Sequence, residues 1–276
     1  MLIADAQIHI WGANTPERPW PTGVQVAPQR AYPIGSEELL ATMNDVGIDR
    51  VVLVPPSWEG LRNDLVIAAA SAHPDRFASM GRLDLFEPRS LEDWRAQPGV
   101  LGVRTIFLLP QQRPWLTDGS AEWLLQQAEQ YDIPMMSFAP EQCEPYIDIA
   151  RRHPGMRLII DHCNLGLEAF DDDIGSHIDD LLRLSEVENI AVKVSALPCH
   201  VHENYPFPSL HRHIKRIIDA FGIERCMWGS DLSRLPTPYA DWLRLFTSDE
   251  LGFLSESDKA AILGESLMTW VGWPTD

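Results

Sequence analysis

The chain has 276 residues, 45% of them hydrophobic, with 40 acidic against 22 basic side chains and a formal net charge of −18. That length suits one large α/β unit with a sizeable core. A chain this acidic, with no basic cluster, is not expected to bind nucleic acid or an anionic membrane, and no apolar run approaches the roughly 20 residues that cross a bilayer.

The first apolar stretch carries Asp5 and follows no basic leader, and Cys143, Cys163, Cys199 and Cys226 form no CxxC pair. Reduced thiols in the cytoplasm are the expectation. In chain order, short β-rich runs at 2–9, 50–54, 77–82, 101–107, 133–138, 157–161, 190–195 and 225–230 alternate with longer amphipathic stretches. Ser36 is read as the N-cap of the first helix, with Glu37 and Glu38 in its first turn and Gly47 as its stop. His73-Pro74 and His153-Pro154 close two later helices, because the residue before proline avoids the helical region. Eight such repeats predict a (β/α)8 TIM barrel, one domain over residues 1–276. An open doubly wound sheet fits less well, since the first strand runs into Trp11-Gly12 and a Pro-rich loop, 12–35, without a GxGxxG turn. A loop of that length is expected to serve as a lid or an oligomer contact.

In a barrel, the C-terminal ends of all strands share one mouth, so polar residues ending apolar runs are the candidates for chemistry. Those ends supply Gln7 and His9, then Ser57, Trp58 and Glu59, then Arg82 and Asp84, then Arg104. Further on come Ser137, Asp161 with His162 and Asn164, Lys193 and Ser195 followed by Cys199, His200 and His202, and finally Asp231 with Arg234. Strand neighbours point to opposite faces, so one of Asp161 and His162 is expected to face outward, and Cys163 beside His162 is weak evidence for a catalytic dyad. There is no G-x-S-x-G for a serine hydrolase.

Six segments in order, Asp5-Ala-Gln-Ile-His-Ile-Trp11, Gly102-Val-Arg104, Ile160-Asp-His162, Val192-Lys-Val-Ser195, Met227-Trp-Gly-Ser-Asp231 and Ile262-Leu-Gly-Glu265, resemble the amidohydrolase-related family that includes 2-pyrone-4,6-dicarboxylate lactonase and sugar lactonases. The resemblance spans nearly the whole chain and implies a (β/α)8 barrel. It implies a His-x-His on the first strand, a further His on the fifth or sixth and an Asp on the eighth, which metal-dependent relatives use to hold zinc or manganese. Here Gln7 replaces the first His, and an amide oxygen is a poorer zinc ligand than an imidazole. His9, His162 and Asp231 remain as a reduced set, so one divalent metal and a metal-free site both stay open.

The activity expected on these grounds is hydrolysis of a small lactone or related cyclic acyl compound carrying a carboxylate. Asp231 would be the general base, His9 and His162 would polarise the carbonyl, and Arg104 would grip the anionic group. Lys193, Ser195, His200, Trp11 and Trp58 complete the expected substrate-binding set. The alternatives are a metal-dependent non-oxidative decarboxylase, which Gln7 disfavours, and a non-catalytic ligand-binding barrel. The expected partner is a small molecule, with homo-oligomerisation left open.

Overall fold

The computed structural model describes residues 1–22 and 28–275. Its strands are β1 (Ala4–Ile8), β2 (Arg50–Leu53), β3 (Phe77–Gly81), β4 (Val100–Ile106), β5 (Met135–Phe138), β6 (Leu158–Ile160), β7 (Ile190–Ser195) and β8 (Cys226–Gly229). All eight expected runs are strands, each parallel to the next in chain order, with helices between them. This is a (β/α)8 TIM barrel. Its β8/β1 seam is held where the Asp231 amide donates to the Gln7 carbonyl at 3.0 Å and the Ser230 amide donates to the Asp5 carboxylate at 3.0 and 3.1 Å.

The period-two alternation of strands sorts side chains into an outer layer under the helices and an inner one. Ala4, Ala6, Val52, Val54, Ala78, Met80, Met136, Ile159, Ala191 and Met227 form the apolar lower interior. Leu267, Met268 and Val271 of the last helix plug it from the strand N-termini, with Trp273 beside them. Two residues further along the same inward faces come Arg82 after Met80, Asp161 after Ile159, and Lys193 then Ser195 after Ala191. The sequence thus changes from apolar to ionic at one height in the barrel.

Two local expectations are corrected. Ser36 is the first helical residue rather than the cap, and Gly35, in extended conformation, caps the helix Ser36–Val46 without a side-chain hydrogen bond. Strand β6 ends at Ile160, and His162, Cys163 and Asn164 adopt left-handed φ values of 52°, 51° and 54°. That turn abolishes the strand alternation, so Asp161 and His162 both point inward. The long loop after β1 is pinned on one side by Arg18, which donates to Glu59 at 2.9 Å and Asp64 at 2.6 Å. On the other side Arg30 donates to the Leu232 carbonyl and Ser233 to Gln29, both at 2.7 Å. Residues 23–27 of that expected lid lie outside the described residues.

Gly102 on β4 has no room for a side chain, since a Cβ there would sit 2.1 Å from the Pro134 carbonyl oxygen, a backbone atom that cannot swing aside. Gly102→Ala should lower stability by about 1–3 kcal/mol through overpacking. An unchanged urea midpoint would show that β4 and β5 can separate at no cost.

Candidate active site

The lowest polar layer is built on Asp161, which is fully buried. Arg104 Nε donates to its Oδ2 at 2.9 Å, and Lys193 Nζ lies 2.8 Å from its Oδ1. Burial opposes the charge, but Lys193 and Arg104 outweigh it and hold the carboxyl below the usual carboxylate range. Lys193 also donates to Gln7 Oε1 at 2.8 Å. The other end of that amide, Nε2, is 3.0 Å from His162 Nε2, while His162 Nδ1 is 2.9 Å from Ser195 Oγ. Burial pushes the His162 imidazole down to about 3, so the ring is neutral at physiological pH.

Above this layer sits Asp231, 1% exposed, with a left-handed φ of 53° that turns its side chain back from the end of β8 into the mouth. Its Oδ1 is 3.3 Å from His9 Nε2, and its Oδ2 is 3.8 Å from His162 Nε2 and 3.7 Å from Arg234. Burial disfavours the charge on Asp231 as well, yet His162, His9 and Arg234 bring its carboxyl well below the ordinary range. With His162 itself neutral, the ionised state rests on His9 and Arg234. Among the described residues, Asp231 Oδ1 has no hydrogen-bond partner in good geometry. His9 Nδ1 donates to the Val54 carbonyl at 2.7 Å, which aims Nε2 at the carboxylate.

The expected residues therefore divide. His9, His162 and Asp231 converge, and Lys193, Ser195 and Arg104 support or flank them. Trp58 packs edge-on to His9 with ring centroids 5.9 Å apart, and Trp11 packs on Trp58 at 5.2 Å, so these rings back the imidazole. His200 is buried, its Nδ1 donating to the Ala169 carbonyl at 2.8 Å. Cys163 donates to the Lys193 carbonyl, and burial pushes its thiol up to about 12, which rules it out as a nucleophile at neutral pH.

A cavity of about 430 Å³ opens beside this centre and is lined by Ser57, Arg82, Arg104, Thr105, Gln112 and Trp115, among others. It meets the centre at Arg104; His9, His162 and Asp231 do not line it. Arg82 is the second cation on its wall, and burial together with Arg104 pushes its guanidinium down to about 9. Sequence reasoning noted Arg82 as a strand end without assigning it a role, although its place two residues past inward-facing Met80 was the available signal. It also missed Asp5, whose signal was a lone carboxylate inside an apolar strand.

Comparison with known proteins agrees with the barrel. The family model described as amidohydrolase matches residues 4–266. The chain belongs to the amidohydrolase family. It is a hydrolase. An L-fucono-1,5-lactonase from Burkholderia ambifaria is 26% identical over 274 residues, covering 94% of this chain and 92% of that one. A putative 2-pyrone-4,6-dicarboxylic acid hydrolase from Pseudomonas putida superposes with a TM-score of 0.79 at 20% identity, covering 100% and 99% of the two chains. An amidohydrolase from Burkholderia multivorans with bound zinc superposes with a TM-score of 0.80 at 20% identity, covering 99% and 100%.

A zinc ion held by a relative raises the question of whether this amidohydrolase's own donors suit one. They do not fit. An amide N–H occupies the lone pair of His162, an ammonium stands behind that amide, and among the described residues no group of three or more His, Cys, Asp or Glu is arranged to hold a metal ion.

Asp5 holds the seam under the site, accepting from the Gln7 amide at 2.9 Å, from Ser230 and from the Tyr239 hydroxyl at 2.7 Å. Burial raises its carboxyl from 3.8 to about 6, those hydrogen bonds offsetting part of the rise. A raised carboxyl binds its proton more tightly folded than unfolded, so its stabilisation is complete below pH ~4 and lost as pH climbs through ~6. Relative to Asp5→Asn, the wild type should lose of order 2–3 kcal/mol between pH 4 and 7. Chemical unfolding of both proteins across that range measures it; a constant difference would place the Asp5 carboxyl at its ordinary value.

Proposed function

We propose that this hydrolase is a lactonase acting on a small, carboxylate-bearing cyclic ester, with Asp231 as general base. The observation that carries the reading is a buried carboxylate at a barrel mouth whose Oδ1 faces His9 and whose Oδ2 faces His162, with Oδ1 in no hydrogen bond of good geometry among the described residues. A carboxylate there accepts a proton from water as the water oxygen attacks the ester carbonyl carbon. The ring C–O bond then breaks, and the proton passes from Asp231 to the leaving alkoxide, so the product is a hydroxy acid and the carboxylate is regenerated. His9 is the imidazole whose Nε2 no amide occupies; when protonated it donates to the carbonyl oxygen and stabilises the developing oxyanion. The similarity to an L-fucono-1,5-lactonase and to a pyrone dicarboxylic acid hydrolase supports cyclic esters as the substrate class.

The cavity favours a charged substrate. Arg82 and Arg104 both line it, against one carboxylate of the described lining, Asp84, and Asp161 neutralises only the Nε edge of Arg104. Two guanidiniums close enough to depress one of them are relieved by an anion between them, and the planar fork suits a carboxylate.

A panel holding both L-fucono-1,5-lactone and 2-pyrone-4,6-dicarboxylate, followed by proton release, tests the reading. Asp231→Asn should lower kcat by roughly 10²–10⁴-fold while substrate still binds. Full activity in that variant, or release of carbon dioxide in place of acid, would overturn the mechanism. Arg82→Met should raise KM at least about tenfold for the anionic substrate, the loss of one charged contact, and leave a neutral lactone nearly unaffected. An equal loss on both would remove the carboxylate from the proposal and keep the hydrolysis.

A further inference from the structure

Lys193 is fully buried one layer beneath the reacting groups. Burial pulls its ammonium below the usual lysine range, but the Asp161 carboxylate 2.8 Å away opposes that and pairs with it as a cation. Its place there dictates a chain of proton positions. An ammonium only donates, so the group 2.8 Å from it must be the Gln7 carbonyl oxygen. The opposite orientation of the amide would set NH₂ against NH₃⁺. With the oxygen so fixed, the Gln7 NH₂ faces His162 Nε2 at 3.0 Å, and an amide nitrogen has no lone pair to offer. His162 Nε2 therefore accepts. The proton of the neutral ring is on Nδ1, where it donates to Ser195 Oγ at 2.9 Å. Lys193 itself is held by Asp161, and Asp161 by Arg104.

We propose that Lys193 is a positioning residue which, through the Gln7 amide, takes the place of a metal ion in this barrel. A divalent metal would bring positive charge and something to receive the lone pair of His162; the ammonium brings the first and the amide N–H the second. The pair locks His162 in its Nδ1–H form and closes its Nε2 to divalent cations. His162 then acts as a fixed, neutral wall beside Asp231, and proton exchange at the mouth is left to Asp231 and His9. This role belongs to the site and not to its substrate, so it stands or falls independently of lactone hydrolysis.

The test needs no turnover. Full-length protein with ¹⁵N-labelled histidine reports which ring nitrogen of His162 carries hydrogen, assigned by comparison with His162→Asn. In the wild type Nδ1 should be protonated and Nε2 bare. Gln7→Glu keeps the shape and keeps Lys193 paired, but its carboxylate can only accept, so His162 Nε2 should gain a proton. In parallel, the wild type and a Gln7→His/Lys193→Met double variant are incubated with zinc, desalted and analysed for metal. The wild type should retain none, and the double variant about one zinc per chain, as for a His-rich catalytic site. A wild type with Nε2 protonated, a Gln7→Glu protein with Nε2 still bare, a wild type holding stoichiometric zinc, or a double variant folded by circular dichroism that holds none would each overturn the proposal. If removing the buried ammonium unfolds the double variant, the Gln7→Glu spectrum, with Lys193 intact, still decides.

Discussion

The mouth of this barrel is organised around a carboxylate that has no access to water. Taking a charge such as that of Asp161 out of solvent costs several kcal/mol even after relaxation, and the cost is offset only by partners in good geometry. Arg104 supplies that geometry from β4, and Lys193 adds its charge 2.8 Å from Oδ1 from β7, on either side of β6. Both cations are consequently fixed as well, and each also acts elsewhere, since Arg104 forms part of the cavity wall and Lys193 orients Gln7. Removing either partner would leave a buried charge uncompensated, so the site tolerates little change at this depth.

The groups above that layer are aimed by backbone conformations that ordinary residues avoid. His162 after β6, Ala196 after β7 and Asp231 after β8 all have left-handed φ values, 52°, 58° and 53°. Each such residue costs of order 1 kcal/mol. The return is directional. A strand continuing straight would carry Asp231 past the rim, whereas the left-handed turn sends its carboxylate back between His9 and His162. The seam beneath is tied by Asp5, which accepts the Ser230 amide just before the turn. Strain at the rim is thus carried by a hydrogen-bonded carboxylate under it.

What could be read from the sequence follows from the range of the interactions involved. The eight strands were legible because β-branched runs and helical stretches are local patterns, and the identities of His9, His162 and Asp231 were legible because strand ends in a barrel share one face. The inward turn of both Asp161 and His162 was not, since it depends on three consecutive left-handed residues of which none is glycine. Nor was the part played by Gln7. Read alone, it is a glutamine where a histidine ligand is expected; its function as a hydrogen-bond donor follows only from Lys193, 186 positions away. Ser36 looked like a cap because capping is a side-chain habit, and here the extended backbone of Gly35 serves instead. Arg82 had the right period but no visible partner, because the cavity it faces is shaped by loops.

The electrostatics of the whole chain and of the site have opposite signs. The protein carries a formal charge of −18, yet among the described residues Arg82, Arg104, Lys193 and Arg234 stand against Asp161, Asp231 and the cavity-lining Asp84 at the mouth. Surface carboxylates act on an approaching anion through water and salt, which screen them beyond about 8 Å at physiological ionic strength. The buried guanidiniums act at contact in a medium of low polarity, where each interaction is several times stronger. An anionic substrate would gain nothing from long-range attraction to this protein and would be held by short-range recognition. Selectivity by charge is then decided inside the cavity, at the two arginines, and not on the way in.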